Sequence, residues 1–110
     1  MMDEPELKSI TVVFDSTLEE TARVILKSLF PEKTSWEKHQ AESMAGFIQE
    51  MIVEMWGPIR QILQREGIDE RGRERVRRVI VLACWNQVCT DLFGEHVQVV
   101  FEKETGDDQS

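Results

Sequence analysis

Tyrosine is missing from all 110 residues, which removes one common proton donor from any chemistry assigned to the chain. Cysteine occurs only as Cys84 and Cys89, too sparsely for a disulfide-built scaffold. Their spacing matches neither a CxxC redox pair nor a zinc knuckle, so both are expected buried and reduced. The glycines stand singly, leaving no Gly-rich phosphate loop and no Gly-x-Ser-x-Gly nucleophile turn. No apolar run exceeds Val79 to Trp85, far short of a bilayer span. The opening stretch Met1 to Ser9 holds Asp3, Glu4 and Glu6 where a secretory leader would be basic, so a cytoplasmic protein without membrane contact is expected. Positive charge is in the minority. Thirteen Lys and Arg face twenty-one Asp and Glu, for a net charge of −8 and a pI near 4.7. That balance repels nucleic-acid phosphates and anionic lipid, and it suits a basic partner.

What remains is a sequence 41% hydrophobic and 31% charged, the composition of one folded domain. A chain of this size buries about two-thirds of its surface, enough for a core without metal or disulfides. Ser9 to Phe14 is rich in β-branched and aromatic residues and reads as a strand. Ser16 or Thr17 then caps a helix, with Glu19 and Glu20 in capping-box spacing and Pro31 as its stop. A second helix starts near Thr34 to Glu37 and carries an apolar stripe to Trp56. Gly57-Pro58 is expected to break or kink it before the stripe resumes and ends at Gly67. Asp69 caps a third segment, apolar nearly all round in its second half and ended by Gly94. Val97 to Glu102 is a second strand.

The class is therefore α+β and mainly helical, with three to four helices. The terminal strands are expected to pair in a small antiparallel sheet, extended to a shared four-stranded sheet in a homodimer. The layout expected is a flexible N-terminus over 1–8, a single domain over 9–102 and an acidic disordered tail over 103–110.

Three polar or soft constellations are candidates for function. His39, Glu42, Glu50 and Glu54 fall on one side of the second helix and are weak metal candidates, suited to a metal-dependent hydrolase; an ordinary solvated acidic face is the plainer reading. Arg71, Arg75 and Arg78 share a stripe that could grip phosphate, as in a nucleic-acid regulator. Interleaved Glu70 and Glu74 blunt it, and no aromatic residue stands among them for base stacking. Met44, Met51 and Met55 with Trp56 form a polarizable strip used both in cores and at adaptable binding surfaces. No catalytic or cofactor motif is found. The expectation is a small acidic, non-catalytic interaction module without cofactor, binding a larger basic protein. Its contacts would be Met44, Met51, Met55, Trp56, Arg71, Arg75, Arg78, Val99 and Phe101.

Overall fold

The computed structural model of the chain describes residues 6–32 and 38–102. In chain order these form β1 (Lys8–Val12), α1 (Leu18–Leu29), α2 (Lys38–Arg65), α3 (Glu70–Phe93) and β2 (Val97–Phe101). The class is mainly helical α+β, as the periodicities imply. Residues 1–5, 33–37 and the tail over 103–110 lie outside the described residues, and with them Trp36 and the helix start expected at Thr34 to Glu37.

Local side chains set the helix ends. The Thr17 hydroxyl accepts from the Glu20 N–H at 3.1 Å, and the Glu20 carboxylate accepts from the Thr17 N–H at 3.2 Å. This reciprocal pair serves two of the donors that every helix start leaves open. Asp69 does the same for α3, accepting from the Gly72 N–H at 2.9 Å. Gly67, at φ +79°, closes α2: its N–H reaches the Gln64 carbonyl at 3.1 Å, and the Ile68 N–H reaches that of Leu63 at 3.0 Å. Only glycine enters that left-handed region cheaply.

One expectation is narrowed and another corrected. α2 continues through Gly57-Pro58 as one helix, so the three to four helices expected are three. The strands pair parallel, not antiparallel, with Lys8 opposite Val97 and Val12 opposite Phe101. Successive elements run in opposite directions. β1, three helices and β2 make an even number of reversals, which brings β2 out in the direction of β1. A second helix broken and turned back at Pro58 would have made the number odd. Pro58 lacks the N–H that the Glu54 carbonyl would accept, at a cost of roughly 3 kcal/mol inside a helix. Glu54 and Pro58 are both exposed, so that carbonyl lies on the side of α2 open to solvent. The remaining penalty is offset by packing α2 against both α1 and α3, which buries Ala41, Met44 and Ile48.

The core lies between these helices and one face of the sheet. Ile10 and Val12 of β1 and Val97 and Val99 of β2 point inward, against Ala22 and Ile25 of α1, Ile48 of α2, and Cys84, Trp85 and Val88 of α3. α1 packs on β1, and α3 packs on β2. α3 is less sheltered than its composition suggests, since Val79 is 67% exposed and Leu92 61%.

The two outer edges of the sheet differ. In a parallel pair, each residue turns its N–H and C=O to the same side, alternating along the strand. Lys8 donates to the His96 carbonyl and Glu102 to that of Val12, so Lys8, Ile10 and Val12 face β2, and Gln98 and Val100 face β1. Val99 therefore turns its N–H and C=O to the outer edge, with its side chain still in the core, and Asn86 of α3 holds both main-chain groups. The Val99 N–H donates to Asn86 Oδ1 at 2.8 Å, and Asn86 Nδ2 donates to the Val99 carbonyl at 2.9 Å. The amide stands in for a neighbouring strand and closes that edge. Ser9 and Thr11 turn outward on β1, where no described element pairs with them.

Candidate functional site

Because the helices alternate in direction, the C-terminal ends of α1 and α3 and the N-terminal part of α2 meet at one end of the molecule. Between them opens a groove of about 470 Å³. Leu26 and Phe30 line it from α1 and its C-cap, Met44 and Phe47 from α2, and Val88 and Leu92 from α3. Phe30 and Phe93 stack edge to face there, with ring centroids 5.9 Å apart. Phe47 is 55% exposed, so the wall is apolar and wet at once. Such a surface loses little by meeting another apolar side chain. Sequence periodicity did not single out Phe47 or Leu92. Their significance is tertiary, since each lies off its own helix's buried stripe and becomes a wall only when three helix ends converge.

The opposite end carries an aromatic and arginine cluster. Phe14 and Phe101, just after or at the ends of the two strands, meet edge to face at 5.1 Å. The Arg78 guanidinium lies 4.5 Å from the Phe14 ring centroid and 5.8 Å from that of Phe101. Arg77 lies 5.5 Å from the Phe14 centroid and pairs with Glu74 at 3.3 Å. A second groove, of about 400 Å³, lies beside them and is lined by Phe14, Thr17, Trp56 and Arg77. The arginine stripe is thus divided. Arg78 covers aromatic rings, and only Arg71 and Arg75 stand fully in solvent.

The other sequence candidates are scattered. Met44 is 8% exposed and Val99 1%, so both side chains pack in the core, and Met44 also reaches the wall of the groove. Met51, Trp56 and Phe101 pack half-buried against it. Met55 is 42% exposed, and its sulfur accepts from the Cys84 thiol at 3.6 Å. His39 lies in the lining of the large groove, whereas Glu42, Glu50 and Glu54 are exposed along α2. At 1.5 Å rise per residue Glu50 is about 16 Å further along the helix axis than His39. Among the described residues no group of three His, Cys, Asp or Glu is placed to hold a metal ion. Nor is any helix there long and apolar enough to cross a membrane.

Both thiols are buried and unbridged. Burial pushes Cys84 up from 9.0, and Cys89 up to about 11. The nucleophilic thiolate is therefore scarce at neutral pH. The raised value also sets a pH dependence. The unfolded chain gives up the Cys89 proton near 9 and the folded chain keeps it to about 11, so folding stability is intact below pH 9 and falls through that window. The expected loss is on the order of 2 kcal/mol. Thermal melts across the window test it, because Cys89→Ala is expected to flatten the decline, and an equally steep variant assigns it to other groups.

No family model, no curated protein sequence and no solved structure matches the chain. The functional reading therefore rests on the geometry alone.

Proposed function

We propose that the chain is a small, non-catalytic interaction module, and that its large groove receives an apolar helix of a larger, basic protein partner. One observation carries this reading. Apolar side chains from three helix ends converge on one open concavity, and Phe47 and Leu92 remain 55% and 61% exposed in it. A helix laying leucine or aromatic side chains at i, i+3 and i+4 into such a groove covers that area without disturbing either fold. The net charge of −8 favours a partner whose helix is flanked by Lys or Arg. It accelerates the encounter and makes the on-rate fall with salt.

Phe47→Asp and Leu92→Asp test the reading, because both positions are exposed and the substitutions should leave the melting temperature nearly unchanged. Photocrosslinking from position 47 should trap a segment with apolar residues at helical spacing and basic flanks. Either aspartate variant should weaken that complex by at least about tenfold, the effect of losing one well-buried anchor. A partner held equally well by wild type and both variants, or more tightly in high salt, overturns the reading.

A further inference from the structure

We propose that the open edge of β1 pairs antiparallel with β1 of a second copy of this chain, joining two parallel ribbons into one four-stranded sheet. Proteins blunt their sheet edges with proline, outward lysine, bulges or a covering element, because a bare row of N–H and C=O groups is a template for another strand. Among the described residues, one edge of this sheet is closed and the other is open. Asn86 occupies both outward main-chain groups of Val99. The outward residues of β1, Ser9 and Thr11, are exposed, and neither is a proline or a charged residue.

The sequence of that edge complements itself in one register. With the two-fold axis passing between the Ile10 residues of the two copies, Ser9 of one faces Thr11 of the other, and the reciprocal pair repeats it. Both residues point outward, so each pair exchanges two main-chain hydrogen bonds. On the outer face the same register sets Leu7, 63% exposed, opposite the second copy's Val13, 49% exposed. Two isolated apolar side chains thus cover each other twice over. Moving the axis to Ser9 would set Leu7 against Thr11 and leave Val13 uncovered.

Charge allows the approach. The chain carries −8, but residues 6–14 hold only Glu6 and Lys8 and are locally neutral. Antiparallel strands in one sheet are related by an axis perpendicular to it, so both helical layers fall on the same face. α1 is the helix packed on β1, which brings the two copies of α1 side by side and antiparallel. Its exposed residues include Glu20, Val24 and Lys27, one stripe at helical spacing. The pairing does not depend on the groove reading. A five-residue strand with one helix stripe is a small interface, in the range of weak, concentration-dependent association.

Sedimentation equilibrium up to about 1 mM chain, above the range of weak specific contacts, is the measurement. Wild type should approach twice the 12.8 kDa chain mass as concentration rises. Thr11→Pro removes an N–H that β2 does not use, and Thr11→Lys adds an outward charge while keeping every main-chain group. Both should retain the wild-type circular dichroism spectrum and associate at least about 30-fold more weakly. Should the proline variant unfold, the lysine variant decides alone. For the register, an oxidised equal mixture of Ser9→Cys and Thr11→Cys chains should yield a crosslinked pair that neither variant yields by itself. A wild type that stays monomeric throughout, or a dimer indifferent to Thr11→Lys, overturns the proposal. So does a dimer broken by Phe47→Asp, which should leave it intact whether or not the groove binds a helix.

Discussion

Trp85→Ala should lower the unfolding free energy by about 3–5 kcal/mol, the range for removing a fully buried aromatic side chain. Trp85 is the largest of the fully buried side chains, 1% exposed, and it shares the core with Ile25 of α1, Ile48 of α2 and Val99 of β2. Losing it leaves a void that three helices and the sheet would have to collapse into together. A domain of this length holds only about 5–15 kcal/mol in total, so the variant retains little or no stability at 37 °C. Urea titration followed by circular dichroism reads the change, with the midpoint falling and the slope held. Val79→Ala supplies the contrast. It removes apolar atoms from the same helix, six residues earlier, at a position 67% exposed. Its effect should stay within about 0.5 kcal/mol. Equal losses at the two sites would mean that α3 is buried all round, which contradicts the described packing.

That contrast shows where the sequence stops being informative. Val79 and Trp85 belong to one apolar run, and hydrophobicity along the chain cannot say which side of α3 meets the core. Local rules succeeded wherever the determining atoms lie within a few residues. Thr17 with Glu20, Asp69 ahead of Gly72, and Gly94 after Phe93 each marked a helix end where the structure has one. At Pro58 they left a break open, and tertiary packing of α2 kept the helix continuous despite a missing backbone donor; the strand direction, set by the number of helices between the strands, was not local information. Of the candidate site, the methionine strip was legible as a helix stripe, but burial divided it: Met44 went inside while Met55 stayed at the surface. The groove was not legible at all, because Leu26, Met44, Phe47 and Leu92 come together only through the order and direction of three helices. Asn86 left a faint trace: with Gln87 it interrupts an apolar run, and a polar group buried there needs a partner.

Replacing Asn86 should cost nearly as much as emptying the core, and for a different reason. Its amide makes three hydrogen bonds: two with the Val99 main chain, and a third in which Nδ2 donates to the Leu82 carbonyl at 3.1 Å. Asn86→Leu keeps the branched shape, with somewhat more volume, and removes every one, leaving the N–H and C=O of Val99, itself 1% exposed, without partners. Unmet groups of this kind cost about 1–3 kcal/mol each, so a loss of about 3 kcal/mol is expected in urea titration. Asn86→Asp separates the donor from the acceptor. Its carboxylate can still accept from the Val99 N–H, but its second oxygen then faces the carbonyls of Leu82 and Val99. A proton on that oxygen restores one donor, so the folded state raises the carboxyl pKa above its unfolded value. Stability relative to wild type is then greatest at acid pH and declines as pH rises through the folded pKa, opposite in sign to an ion-paired aspartate. A leucine variant as stable as wild type, or an aspartate variant with no such slope, would show that β2 does not need its outer edge closed. The clamp would then be incidental, and with it the contrast between a guarded edge on β2 and an open one on β1.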